Sequence, residues 1–136
     1  MNNKEGYIAI WLGYFVSEEV FNEYIKRHYE YDDEIEDIDS DFEKDFDLKY
    51  YDRDIVEASI LKQDSNTLKD LFKGSSYLED YIETITDNHL YKYNVIIRIY
   101  DYKYEGEKKN IVHNENILNF YENIEYEKVN DFRWLL

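Results

Sequence analysis

Apolar residues recur along this chain in short runs of two different periods, and those periods predict its elements. Residues 7–13 (YIAIWLG) form a β-rich run closed by a glycine and predict a strand. Ser17 predicts a helix start, with Glu18 and Glu19 in the first turn and Lys26, Arg27 and His28 near the end, a polarity the helix dipole favours. Val20, Phe21, Tyr24, Ile25 and His28 recur at helical spacing and predict its buried face. Residues 54–61 (DIVEASIL) alternate loosely and predict a second strand. Ser65 or Asn66 opens a short predicted helix through Leu68, Leu71 and Phe72, stopped at Gly74. Ser75 or Ser76 starts another, with Tyr77, Leu78, Tyr81, Ile82 and Ile85 turned inward. Residues 93–102 (YNVIIRIYDY) are largely apolar on both faces, the pattern of a central strand. YEGEKKN predicts a turn, and a helix around Asn114–Tyr121 and a strand around Ile124–Val129 complete the set. This order predicts an α+β fold: a single domain with one mostly antiparallel sheet of about four strands and helices packed against it.

The stretch Glu30–Asp47 (EYDDEIEDIDSDFEKDFD) has a pattern of its own. It carries eleven carboxylates against one lysine, Lys44, in a chain of formal charge −16. Tyr31, Ile35, Ile38, Phe42 and Phe46 step through it by four, three, four and four residues, which is a helical apolar stripe. Ser40 followed by Glu43 has the form of a capping box. The stretch therefore reads as two short helices, or as a loop running into one. Like charges at helical neighbours cost a few tenths of a kcal/mol per pair, so an ordered stretch must dock its stripe on the core.

Composition narrows the class. Aromatics make up 18% of the chain, with 16 tyrosines, whereas an acidic disordered protein is aromatic-poor; this chain is expected to fold. The lack of proline and the abundance of Ile, Asn, Lys and Tyr also suit an AT-rich genome, so tyrosine content alone says little about binding. No cysteine is present, which removes disulfides, thiolate metal sites and cysteine nucleophiles and suits a reducing cytoplasm. The N-terminal residues lack a small-residue cleavage site, and no apolar run approaches the ~20 residues of a membrane span. The negative charge disfavours nucleic acid and anionic membranes as partners and favours basic protein surfaces or cations.

The chemistry-bearing residues point away from catalysis. Asp37, Asp39 and Asp41 have the one-three-five spacing of an EF-hand, but Phe42 stands where the loop needs glycine and Leu48 where it needs glutamate. Paired-carboxylate hydrolysis needs two acids in contrasting environments, not many on one solvated segment. His28 reads as a dipole partner at a helix end, His89 as part of a helix-terminating loop and His113 as the residue before a helix; no pair has metal-ligand spacing. No enzyme, metal site or cofactor is expected. The remaining reading is an interaction surface in which carboxylates steer a basic partner and tyrosines bury area.

Three stretches, YIAIWLGYFVSEEVFNEYI, SDFEKDFDLKYYDRDIVEA and YNVIIRIYDYKYEG, resemble in order and spacing the immunity protein 22 family, over about Tyr7 to Gly106. The resemblance implies a cytoplasmic bacterial protein that binds and inhibits a toxin domain of a polymorphic toxin system. Together with the charge, it places the expected contact on Tyr31, Asp32, Asp33, Glu34, Glu36, Asp37, Asp39, Asp41, Tyr50 and Tyr51, facing a basic toxin such as a nuclease. The alternative is an acidic regulatory or cation-responsive module with no toxin partner.

Overall fold

A computed structural model describes residues 3–26, 28–31, 35–48, 51, 55–67, 71 and 88–126. The elements run β1 (Asn3–Tyr14), α1 (Glu18–Ile25), β2 (His28–Tyr31), β3 (Ile35–Ile38), α2 (Asp41–Asp45), β4 (Val56–Thr67), β5 (Asn88–Tyr102), β6 (Asn110–His113) and β7 (Asn116–Glu125). β4, β5, β1, β7 and β6 form one sheet in that order, and every pairing in it is antiparallel. The fold is thus the expected α+β arrangement, with five strands rather than about four. β2 and β3 pair separately as an antiparallel hairpin.

Strict alternation along β1 divides the core between the two faces of the sheet. Ala9 and Trp11 point to the face that also gathers Phe21 and Tyr24 of α1, Phe42 of α2 and its C-cap residue Phe46. Ile8, Ile10 and Leu12 point to the other face, beside Ile96, Tyr100, Leu71 and Ile124. β1 lies between β5 and β7 with a core cluster on each of its faces, and burial of this kind supplies most of the driving force for folding. Gly13 is required by that crowding: a Cβ there would stand 2.2 Å from the Ile117 carbonyl oxygen. Buried Arg98 on β5 is met by β4, where Ser59 Oγ accepts from its guanidinium at 2.8 Å and Glu57 Oε1 lies 3.9 Å away.

Two irregularities reassign side chains between faces. Asp101 takes a left-handed φ of 52°, and beyond it Tyr102 joins the helix-side core although Tyr100 belongs to the opposite one. In β7, Phe120 pairs with Trp11 and Glu122 with Ile10, which leaves Tyr121 as an extra residue. Leu118 and Phe120 accordingly face the helices, while Tyr121 and Ile124 face away.

α1 begins as expected, with Ser17 Oγ accepting from the Val20 backbone N–H. It ends earlier than expected, at Ile25 with Lys26 as C-cap, so His28 starts β2 rather than closing the helix. The helical stripe over Tyr31, Ile35 and Ile38 is corrected: those residues lie in a hairpin, with Tyr31 registered opposite Ile35 and His28 opposite Ile38. Only the Phe42–Phe46 end of the stripe is helical. There the capping box is complete, since Ser40 Oγ accepts from the Glu43 N–H and Glu43 Oε1 accepts from the Ser40 N–H. The helix expected from Ser65 or Asn66 is overturned as far as Thr67, which remains in β4. Leu71 is helical and buried; the other inward residues of the two helices expected between 65 and 85 lie outside the described residues. His89 sits in β5 instead of a loop. The helix at Asn114–Tyr121 is replaced by the β6–β7 hairpin, whose turn uses Asn114 at a φ of 57°, a conformation asparagine tolerates better than most residues. Of the strand expected around Ile124–Val129, Ile124 and Glu125 belong to β7, Tyr126 lies beyond its end, and 127–129 fall outside the described residues.

Candidate functional site

The two helices lie side by side on one face of the sheet and turn carboxylates outward. Glu18, Glu19 and Glu23 of α1 and Asp41 of α2 are exposed, as is Asp47 just beyond α2, against exposed Lys26 and Lys44. Asp39 and Asp45 are half-buried. The spacing follows from the packing, because Phe21, Tyr24, Phe42 and Phe46 take the inward positions and leave the others to solvent.

Of the residues expected to meet a partner, Asp41 stands exposed at the first position of α2 and Asp39 precedes it half-buried. Tyr31 closes β2, and Glu36 and Asp37 lie in β3, opposite Glu30 and Tyr29. Asp32, Asp33, Glu34 and Tyr50 lie outside the described residues. Tyr51 is half-buried, and its hydroxyl donates to Glu43 Oε2 at 2.7 Å. It therefore holds the α2 cap from the core side. Phe42 and Leu48, at the sixth and twelfth EF-hand positions, are both buried in the helix-side core, so the stretch folds as strand and helix rather than as a calcium loop. Among the described residues no three or more histidines, aspartates or glutamates are grouped as a metal site would require.

A feature that sequence reasoning missed lies between α1, α2 and the β6–β7 turn. A groove of about 480 Å³ opens there, with buried Phe15 and Tyr24 at its base and Val20, Glu23 and Asp41 around it. Half-buried Asp45 is part of its lining. The Tyr24 hydroxyl donates to Asp45 Oδ2 at 2.8 Å, and His113 Nε2 lies 2.9 Å from the same oxygen. Asn116 closes the side wall: its Oδ1 accepts from the Val16 N–H, and its amide donates to the His113 carbonyl. These residues come from three separate stretches of the chain, and no local motif links them. A second basin, of about 630 Å³, lies between the end of α2 and the β5–β6 connection, where Lys103 and Lys108 accompany Asp47, Glu105 and Glu107. Its charges are mixed.

Burial, then the bond to Asp45, drives the Tyr24 phenol well above its ordinary value of 10. A folded-state value above the unfolded one means that the stabilisation is fully present below pH 10 and fades above it, as the unfolded chain ionises. Tyr24→Phe keeps the ring but loses a bond to a charged acceptor, so it is expected to cost about 1.5–3 kcal/mol at neutral pH. It should also lose less stability than the parent on passing above pH 10. Burial raises Tyr104 and Tyr121 too, so the alkaline loss shrinks rather than vanishes. Urea midpoints of both proteins at neutral and alkaline pH measure the effect.

No described helix is long and apolar enough to cross a membrane. Comparison with curated proteins and with solved structures returned no match. The family model described as Immunity protein 22 matches residues 8–127, which runs from within β1 through β7 and so includes both helices, the hairpin and the groove. By that match over most of its length, the chain belongs to the immunity protein 22 family.

Proposed function

We propose that this chain neutralises a cognate toxin domain by laying its acidic helix-side face over a basic surface of that domain. The family name assigns a role in toxin immunity and, with it, a toxin protein as partner. The observation that carries the finer reading is the charge of the helix layer: exposed Glu18, Glu19, Glu23, Asp41 and Asp47 stand against exposed Lys26 and Lys44. Such a face attracts a basic partner and raises the encounter rate, and it repels nucleic acid and anionic lipid. Toxins that cut nucleic acids have basic clefts because their substrate is a polyanion, so a nuclease domain is the toxin class this face suits best. Inhibition then needs only occlusion, and the chain is a cytoplasmic binding protein, not an enzyme.

The test is to mix the purified chain with the toxin domain encoded beside it. A stoichiometric complex should form, toxin activity should fall in proportion, and the association rate should drop steeply with added salt. Full toxin activity in the presence of excess folded chain would remove this reading. A complex whose association is indifferent to salt would instead remove the electrostatic mechanism.

A further inference from the structure

We propose that the groove between α1, α2 and the β6–β7 turn is a socket for one arginine side chain of the partner, the anchor of the contact. The inference rests on the toxin-binding reading above and names where, and by what side chain, the partner engages.

The lining suits both halves of an arginine. Phe15 and Tyr24 form a buried aromatic base, and Val20 at the groove is 38% exposed, with neighbouring Val16 46% exposed. These are two of the three large exposed aliphatic residues among those described. Apolar side chains gathered at a groove mark surface that a partner covers. The stem of an arginine would lie across Val20 and the rings, while Glu23, Asp41 and Asp45 meet the charge. Lys44 is the one lysine in the lining, so the carboxylates prevail.

Asp45 favours a guanidinium over an ammonium. Tyr24 and His113 both engage its Oδ2, at 2.8 and 2.9 Å, and so hold that oxygen in place in advance. Oδ1 takes part in neither bond and is the oxygen left to an incoming donor. Beside the aromatic rings of the groove, a planar cation that can stack while it donates to Oδ1 fits better than a compact ammonium. Because Asp45 is held before binding, little ordering is required when the partner arrives.

Two measurements test the socket. In the first, the isotope-labelled chain is titrated with N-acetyl-arginine-methylamide, with the norleucine analogue as a control, and followed by NMR. Shifts should concentrate at Val20, Tyr24, Asp45 and His113, should be absent with norleucine, and should vanish in Val20→Trp, which fills the groove without changing charge. Shifts spread evenly over distant acids such as Glu107 and Glu122, or persisting in Val20→Trp, would overturn the socket and leave the immunity reading standing. The second measurement is the affinity of the adjacent-encoded toxin domain for the same variant. Val20→Trp should weaken it by about 30-fold or more, the effect of losing an anchor, while Val20→Ile stays near the parent. Equal affinities for parent and Val20→Trp, with the melting temperature unchanged, would show that the toxin does not anchor there. If the parent itself fails to bind the toxin, the immunity reading falls and takes this partner assignment with it.

Discussion

Trp11→Ala is expected to remove about 3–5 kcal/mol of stability, the usual cost of deleting a large aromatic from a packed core. Against a total of about 5–15 kcal/mol for a domain, that loss approaches global unfolding. The indole is 0% exposed on the central strand, between Ile97 of β5 and Phe120 of β7. Phe42, Phe46 and Phe120 pack against it in edge-to-face fashion at 5.1–5.7 Å between ring centres, and Tyr104 lies 5.3 Å away at a tilt. Each such pair adds about 0.5–1.5 kcal/mol beyond area burial. One side chain therefore joins α2, the β5–β6 connection and β7 to the middle of the sheet, and collapse around an alanine would require all of them to move. Trp11→Phe tests the attribution to packing. The indole N–H has no hydrogen-bond partner among the described residues, so phenylalanine forfeits only volume and should cost less than half as much. Denaturant midpoints followed by circular dichroism measure both variants. Equal losses for Ala and Phe would point to a polar role for the indole instead.

The parts of this fold that were legible in the sequence are those where one period holds without interruption. β1 alternates cleanly, β5 is apolar on both faces, and α1 carries its cap and its charge polarity in adjacent residues. The Ser40–Glu43 box was readable for the same reason, since both its bonds are local. The errors arose where an irregular strand imitates a helix. In β7 the extra residue at Tyr121 moves the apolar set from one face to the other, so Ile117, Phe120, Tyr121 and Ile124 fall at helical spacing within a strand. Asn114 added to the illusion, because asparagine serves equally as a helix cap and as a left-handed turn residue. Likewise the steps from Tyr31 to Ile35 to Ile38 span a reversal of the chain. The acidic character of the site was visible, but the groove was not. Tyr24, Asp45 and His113 meet only through tertiary packing, and in the sequence His113 reads as the residue before a helix.

Neutralising the acidic approach to α2 is expected to weaken toxin binding by roughly 30- to 1,000-fold at low salt, from about 0.5–1 kcal/mol for each of four carboxylates. The variant is Glu36→Gln, Asp37→Asn, Asp39→Asn and Asp41→Asn in one chain. These changes keep side-chain size and remove the charge. Their positions run from β3 through the capping residues into the first turn of α2, and Asp41 also borders the groove. Loss of Asp41 gives up a favourable dipole contact worth about 0.3–1 kcal/mol, which leaves α2 held by its Ser40–Glu43 box and its buried phenylalanines. Most of the affinity loss should appear in the association rate, and the salt dependence should flatten, because long-range attraction is what the substitutions remove. A loss confined to the dissociation rate would assign these carboxylates to short-range pairs instead of steering. Undiminished affinity in the folded variant would move the contact off this stretch altogether. The remaining exposed charge of the helix layer, at Glu18, Glu19, Glu23 and Asp47, would then be the next surface to neutralise, and Glu23 among them lines the groove.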